Sequence, residues 1–237
     1  MAAQLLSESE IPERFVPIVL GGDTLAYSYA RCFHEAYGVD TMVISSVDVR
    51  VTSSSRFVDY RVDPVMAQGE DAIVGMLGKL GERLRASGKV PMLLGSADWH
   101  VRILSHRKRE LERWFVVPYN EFGLLDEITQ KSRFYEICDE LGIAYPKTVT
   151  LACDSDPGPG DLDGLAFPLI AKPSNSARYD LLDFPGKEKV YRVDDLEGLK
   201  RVLRLMRGAG YAGRLIVQDL IPGGDDAIYT LTPYSID

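Results

Sequence analysis

Short apolar runs alternate with amphipathic stretches through the first half of the chain. Apolar runs at 16–20, 41–46, 90–95 and 114–119 predict buried strands, because short runs bounded by turn residues are typical of a sheet interior. Between them the pattern predicts helices from about Thr24 to a stop at Gly38, over 70–87 and over 99–113. Strands that alternate with helices imply βαβ units and a mostly parallel sheet. Residues 1–127 are therefore predicted to form an α/β domain of Rossmann-like type.

The pattern changes after residue 127. Segment 128–151 predicts a helix, a turn at Gly142 and an extended stretch, and the loop 153–164 is rich in Pro, Gly and Asp. Further strands are predicted to end at Lys172 and to lie near 190–193, 215–217 and 227–231, with one helix near 196–206. This order is not a βαβ order, so residues 128–237 are predicted to form a second, α+β lobe with an antiparallel sheet.

Composition narrows the class of protein. The 237 residues are 46% hydrophobic and 26% charged, with a formal net charge of -8, which fits a folded soluble protein and argues against a nucleic-acid surface. The three cysteines are scattered without a CxxC pair, which favours a reducing cytoplasm. No stretch is long and apolar enough to predict a membrane span. A homodimer is an option that the sequence leaves open.

Two glycine turns follow predicted strands of the first domain. Gly21 and Gly22 do not form a GxGxxG pattern, so a tight βα turn is favoured over a nicotinamide site. A second loop, Gly95 to Asp98, lies at the end of the strand 90–95. Open α/β sheets bind ligands at the carboxyl ends of their strands, so either loop could hold a small carboxylate substrate. For Asp98, capping of the helix that follows is an equally good interpretation.

The predicted strand 167–171 is followed by a single lysine. Lys172 precedes Pro173 and the small polar residues 174–176. A lysine at the end of an apolar strand commonly marks only the point where the strand leaves the core. Here the small residues that follow can form a loop whose N–H groups and hydroxyls close over phosphates.

Three segments in this order carry a family resemblance: "QKSRFYEICDELGIAYPKT", "FPLIAKPS" and "LIVQDLIPGGDD". The set resembles the ATP-grasp superfamily, and specifically its carboxylate–amine ligase branch, which includes D-aspartate ligases. The resemblance implies that 1–127 is a Rossmann-like pre-ATP-grasp domain. It also implies that 128–237 is the small ATP-binding lobe, without the metal-binding lobe.

The resemblance also implies contacts with ATP. Two lysines would approach the phosphates, since converging cations offset the charge of a triphosphate; these are Lys131 and, at the α-phosphate and adenine side, Lys172. A mobile loop over the β- and γ-phosphates would contain Ser174, Asn175 and Ser176. The adenine would be read by the strip Gln218, Asp219, Leu220 and Ile221, although the family often has glutamate where Asp219 stands. Asp226 would bind the ribose hydroxyls, with Asp225 as the competing candidate.

The function implied is that of an ATP-dependent ligase. The intact enzyme would activate a carboxylate as an acyl phosphate, which an amine or a thiol then attacks, and D-aspartate is one candidate substrate. Mg²⁺ would accompany ATP, with its protein ligands expected beyond Asp237, so the chain would be the N-terminal part of a longer enzyme and inactive alone. The alternatives are a non-catalytic nucleotide-binding module and a Rossmann-type dehydrogenase or methyltransferase, which the glycine pattern disfavours. The catalytic residues stay unknown.

Overall fold

The computed structural model of the chain describes residues 6–175, 178–179 and 181–231, apart from the side chains of Lys131, Ser132 and Asp225. The chain divides into two compact units, Met1–Glu127 and Ile128–Asp237. These are the bounds of the two expected domains, whose roles stay predictions.

The first unit contains a four-stranded sheet in which all neighbouring strands are parallel. The strand order is β3-β2-β1-β4. The strands are β1 (Phe15–Leu20), β2 (Thr41–Ser45), β3 (Val58–Val62) and β4 (Val90–Gly95). The central strands β1 and β2 are buried, with Ile18 and Val43 fully enclosed, as expected for a parallel sheet that is covered on both faces.

Helices connect these strands, and local signals set their ends. The helices are α1 (Ile11–Arg14), α2 (Thr24–Tyr37), α3 (Arg50–Ser53), α4 (Glu70–Ala86), α5 (Asp98–His106) and α6 (Lys108–Leu111). The side chain of Asp23 caps α2 by accepting from the N–H groups of Leu25 and Ala26. Gly38, with a φ of 68°, ends the same helix in the left-handed region. The predicted positions of α2 and α4 are confirmed.

One predicted strand of this unit was wrong, and one strand was missed. Residues 114–119 form only an isolated parallel bridge between Met92 and Val116, although Phe115 and Val117 are buried. The apolar run at 114–119 therefore indicated burial correctly, but it did not indicate a regular strand. The strand β3 was missed because it lies at the sheet edge, where Asp59 and Arg61 are exposed and give no apolar run.

The second unit contains a four-stranded antiparallel sheet with the order β5-β8-β6-β7. The strands are β5 (Thr148–Ala152), β6 (Leu169–Pro173), β7 (Tyr191–Val193) and β8 (Arg214–Asp219). The helices are α8 (Lys131–Leu141) and α9 (Leu196–Gly208), while α7 (Phe122–Thr129) contains the boundary between the units. Leu199, Leu203 and Met206 follow helical spacing on α9 and are fully buried in the core of this unit.

The mixed α/β class is confirmed, with one parallel and one antiparallel sheet, while the Rossmann-like arrangement of the first unit stays a prediction. Two details of the second unit differ from expectation. Pro173 is the last residue of the internal strand β6; its missing N–H is tolerated because β7 pairs with β6 only as far as Ala171. The strand predicted at 227–231 is absent from these residues, which follow a short 3₁₀ turn at Asp225–Ala227.

Hydrophobicity alone suggested that last strand, because Ile228, Tyr229 and Leu231 are apolar. All three side chains are largely exposed, and no strand among the described residues pairs with them. A β-strand needs a neighbouring strand to pair with its backbone N–H and C=O groups, so a run of apolar residues is not enough to predict one here. Within the described part of the chain, every helix is too short or too polar to cross a membrane.

Candidate functional site

Lys172 lies near the end of β6, with its side chain half-buried. Its Nζ donates a hydrogen bond of 2.9 Å to Oε1 of Gln218 on β8. The strand register pairs Lys172 with Ile216, so Gln218 is a diagonal neighbour on the same face of the sheet. The antiparallel pairing therefore brings together two residues that are 46 positions apart.

Gln218 is only 7% exposed and makes three side-chain hydrogen bonds. Its Nε2 donates to the hydroxyl of Tyr135 on α8 and to Oγ1 of Thr148 on β5, each at 2.8 Å. The Thr148 hydroxyl in turn donates to the carbonyl of Pro146 at 2.6 Å. One helix and three strands thus converge on a single amide. We call Lys172, Gln218, Tyr135 and Thr148 the amide network.

The chain after β8 holds the residues predicted to read adenine and ribose. The N–H of Asp219 donates to the carbonyl of Lys147 at 3.0 Å. Asp219 and Leu220 are half-buried, and Ile221 is 67% exposed. Asp226 is exposed on the short 3₁₀ turn. The side chain of Asp225 lies outside the described set, so the choice between the two aspartates stays open.

The loop after Lys172 is tied to the neighbouring loop 211–214. The N–H of Ser174 donates to the carbonyl of Arg214 at 2.9 Å, and the N–H of Asn175 donates to the Tyr211 hydroxyl at 3.2 Å. Ser176, also predicted for this loop, lies outside the described residues. Tyr179 is 1% exposed. A loop over phosphates would therefore have fixed points at 174–175 and at Tyr179.

Lys131 is the first residue of α8, and its side chain lies outside the described set. Its approach to the same phosphates as Lys172 stays a prediction. Tyr135 stands four residues further along α8 and belongs to the amide network. Because positions i and i+4 lie on one face of a helix, the backbone places Lys131 on the face that carries Tyr135.

The glycine turn of the first unit is closely packed. Gly21 has a φ of 95°, and a Cβ built on it would lie 2.2 Å from Oγ of Ser96 and 2.6 Å from Cε1 of His100. A Cβ on Gly22 would lie 2.0 Å from the Tyr60 hydroxyl. This close packing fits the tight βα turn that the sequence favoured.

Ser96, which lies in the predicted loop after β4, and His100, which the sequence analysis did not identify, are buried polar residues. Oγ of Ser96 and Nδ1 of His100 have no hydrogen-bond partner among the described residues. Burial lowers the pKa of His100 to about 4, an effect that the nearby charge of Asp23 opposes. The available signal for His100 was its position, since it lies in the first turn of α5, directly after the loop at the carboxyl end of β4.

Asp98 is the first residue of α5 and is exposed. The capping interpretation was wrong, because the cap position is Ala97 and no side-chain hydrogen bond caps the helix. Its proposed contact with a carboxylate substrate stays a prediction.

Comparison with known proteins gives one sequence relative and several similar structures. No protein-family model matches the chain. The chain is 33% identical over 225 residues to a D-aspartate ligase of Enterococcus faecium (strain Aus0004), an alignment that covers 94% of this chain and 53% of that protein. The chain thus spans about half the length of this curated relative.

Two similar solved structures are a ligase and a synthetase. An L-amino acid ligase from Bacillus licheniformis has a TM-score of 0.57 and 15% identity, covering 90% of this chain and 45% of that protein. The N5-carboxyaminoimidazole ribonucleotide synthetase purK, solved as its ADP complex, has a TM-score of 0.58 and 12% identity, covering 89% of this chain and 48% of that protein. At these identities the likeness shows a shared fold.

Proposed function

We propose that this chain belongs to the carboxylate–amine ligase branch of the ATP-grasp superfamily and that it supplies the ATP-binding lobe of an enzyme that joins a carboxylate to an amine. The second unit is the proposed ATP-binding lobe. The first unit is the proposed Rossmann-like domain that precedes it.

The observation that carries the proposal is the state of Lys172. The residue is half-buried, and its ammonium is held by the neutral oxygen of Gln218. No carboxylate of a described residue lies within ion-pair distance of this ammonium. A cation that is fixed in position and not neutralised suits the phosphates of ATP. Lys131 would provide a second positive charge from the start of α8, on the helix face that carries Tyr135.

The proposed contacts with the nucleoside follow from the end of β8. The N–H of Asp219 already donates to Lys147, which leaves the backbone groups of Leu220 and Ile221 for the purine edge. The side chain of Gln218 is directed at Lys172, so only its backbone could contribute to the adenine strip. Asp226 or Asp225 would accept hydrogen bonds from the ribose hydroxyls. Ser174 and Asn175, together with Ser176, would contact the β- and γ-phosphates.

The proposed reaction proceeds in two steps. A substrate carboxylate attacks the γ-phosphate of ATP to give an acyl phosphate and ADP. An amine then attacks the acyl carbon and loses a proton, inorganic phosphate leaves and an amide forms. The protein acts mainly by positioning the reactants and by stabilising developing charge. The name of the sequence relative makes D-aspartate the first amine to test. The loops at Gly21, Gly22 and Asp98 stay the proposed place for a small carboxylate.

Mg²⁺ is expected with ATP, because the charge between the β- and γ-phosphates has to be offset. The described residues contain no group of three or more His, Cys, Asp or Glu side chains that could hold a metal ion. We therefore assign no metal ligand within them, and ligands beyond Asp237 stay a prediction.

Calorimetric titration of the chain with Mg-ATP tests this proposal. We expect weak, saturable binding with a Kd near 1 mM, or about 4 kcal/mol, because each exposed phosphate contact is screened by solvent. Lys172→Met should weaken the binding about tenfold. Absence of saturable binding up to about 10 mM ATP would overturn the proposal.

An ADP-release assay with and without D-aspartate examines the second half of the proposal. The chain alone should release no ADP in response to the amino acid. Release that depends on D-aspartate would show a complete metal site within these residues and would contradict the expected missing lobe. Submicromolar ATP binding without turnover would instead indicate a non-catalytic nucleotide-binding module.

A further inference from the structure

We propose that Gln218 is a positioning residue for Lys172 and not a reader of adenine, as its place in the strip had suggested. Its amide fixes the lysine ammonium in the orientation that meets a phosphate. The inference deepens the proposed function and rests on ATP binding at this site.

The orientation of the Gln218 amide follows from the hydrogen bonds around it. The hydroxyl of Thr148 gives its one proton to the carbonyl of Pro146, so toward Gln218 it can only accept. The amide nitrogen must therefore face Thr148. Its second N–H donates to the Tyr135 hydroxyl. Both donors are then in use, and Oε1 is left facing Lys172 at 2.9 Å.

The same hydrogen bonds leave Lys172 available for a ligand. An ammonium has three donors, and Gln218 uses one of them. The partner is neutral, so the positive charge is directed without being cancelled. A lysine loses considerable side-chain entropy when it is immobilised, and an amide that holds it before ATP arrives reduces the loss on binding.

The competing explanation is that the amide network only stabilises the fold. In that case the hydrogen bonds of Gln218 would join α8 and β5 to β8 without any effect on the position of Lys172. The two explanations differ in one measurable quantity, the energetic coupling between Gln218 and Lys172 in ATP binding. A purely structural amide should affect binding equally whether or not the lysine is present.

A double-mutant cycle on the chain measures this coupling. The variants are Gln218→Met, which keeps the size and removes the amide, Lys172→Met, and the double substitution. Calorimetric titration with Mg-ATP gives Kd for each. We expect Gln218→Met to weaken binding about fivefold in the presence of Lys172 and to have no further effect when Lys172 is absent.

Two further variants sharpen the test. Gln218→Glu should weaken binding about tenfold or more, because a carboxylate would pair with the ammonium and cancel its charge. Tyr135→Phe keeps Gln218 and removes one of its hydrogen-bond partners, so a smaller loss of about twofold is expected. Gln68→Met is the matched control, since Gln68 is exposed in the first unit and should leave Kd unchanged.

A second readout does not need ATP. The side-chain ¹⁵N signal of Lys172, assigned by its loss in Lys172→Met, should show slow proton exchange in the unsubstituted chain and faster exchange in Gln218→Met and in Tyr135→Phe. Thermal unfolding shows whether each variant is folded. If Gln218→Met does not fold, the exchange rate and the Kd of Tyr135→Phe provide the test instead.

The outcomes separate the two proposals. If the unsubstituted chain does not bind ATP, the proposed function fails. If it binds ATP and Gln218→Met binds equally well, or loses the same factor with and without Lys172, the positioning role fails alone. Coupling together with faster exchange of the ammonium supports it.

Discussion

The two units each place polar side chains at the ends of sheet strands, and the two clusters differ in how those side chains are satisfied. In the second unit, the amide network uses both donors and the oxygen of Gln218. In the first unit, Ser96 and His100 pack over Gly21, and neither Oγ nor Nδ1 has a hydrogen-bond partner among the described residues. The amide network of the second unit holds the ammonium of Lys172, whereas Ser96 and His100 of the first unit pack against the glycine turn.

This difference has an energetic side. A buried polar group that forms its hydrogen bonds contributes about 1 kcal/mol to the free energy of unfolding. A buried polar group that has no hydrogen-bond partner lowers it by about 1–3 kcal/mol. The amide network should therefore stabilise the second unit. The Ser96–His100 cluster should weaken the first unit and be held in place by packing against Gly21. Both tryptophans, Trp99 and Trp114, lie in the first unit, so their fluorescence reports its unfolding separately.

The largest effect is expected for Gly21→Ala. The substitution combines a φ of 95° with a Cβ that would lie 2.2 Å from Oγ of Ser96, and we expect a loss of about 3 kcal/mol or more. Gly88→Ala is the matched control, since its φ is 78° but nothing lies within 4 Å of the added Cβ, so about 1 kcal/mol is expected. Urea unfolding followed by tryptophan fluorescence measures both. Equal losses would contradict the close packing over Gly21.

The next largest effect is expected for the stability of the first unit at acidic pH, through His100. The pKa of His100 is about 4 in the folded chain, below its ordinary value of 6.5, so the unfolded state binds more protons between these two values. The stability of the first unit should therefore fall as the pH falls from about 6.5 to about 4, by up to about 3 kcal/mol from this residue. Unfolding curves at a series of pH values, compared with those of His100→Gln, isolate the contribution. Parallel pH dependences of the two proteins would contradict it.

A smaller effect is expected in the amide network. Thr148→Val keeps the shape of β5 and removes the hydroxyl that accepts from Gln218, so a loss of about 1–2 kcal/mol is expected for the second unit. Thr150→Val, two residues along the same strand, should change stability by less than about 0.5 kcal/mol, because no side-chain hydrogen bond of Thr150 is found among the described residues. Hydrogen exchange of the β8 amides follows this unit. Equal protection in the two variants would mean that the network adds no stability.

The smallest effect is expected for Ser96→Ala. Removing a buried hydroxyl that has no partner should leave the first unit unchanged or more stable by up to about 1 kcal/mol. Ser105→Ala is the matched control: Ser105 is also buried, and its Oγ donates to the carbonyl of Asn120 at 2.7 Å, so a loss of about 1 kcal/mol is expected. A loss in Ser96→Ala as large as in Ser105→Ala would show that Ser96 has a partner in solution.

Local signals predicted much of the fold. Gly38 and Gly142 both adopt a positive φ at the ends of their helices, where the sequence placed helix stops. The apolar runs of β1 and β4 are buried strands, as predicted. The edge strand β3 was less predictable, because it is largely exposed and its sequence gives no apolar run.

The candidate site was predicted only in part. The sequence placed Lys172 near a strand end, which a local pattern can do. It could not assign Gln218 to that lysine, since the contact depends on the register between β6 and β8 and on Tyr135 from α8. It also missed His100, because burial at a helix start depends on which strand ends lie beside it. The Lys172–Gln218 contact and the burial of His100 both depend on which strands lie side by side. The local periodicity of the sequence does not specify this arrangement.

A map of backbone amide shifts on adding Mg-ATP tests most directly whether the nucleotide site lies in the second unit. The largest changes should fall on Lys172, Ser174 and the strip 218–221, with little change at Gly21, Gly22 and Ser96. Largest changes at the glycine turn, with none around Lys172, would contradict the proposed ATP site and would favour a Rossmann-type cofactor site in the first unit.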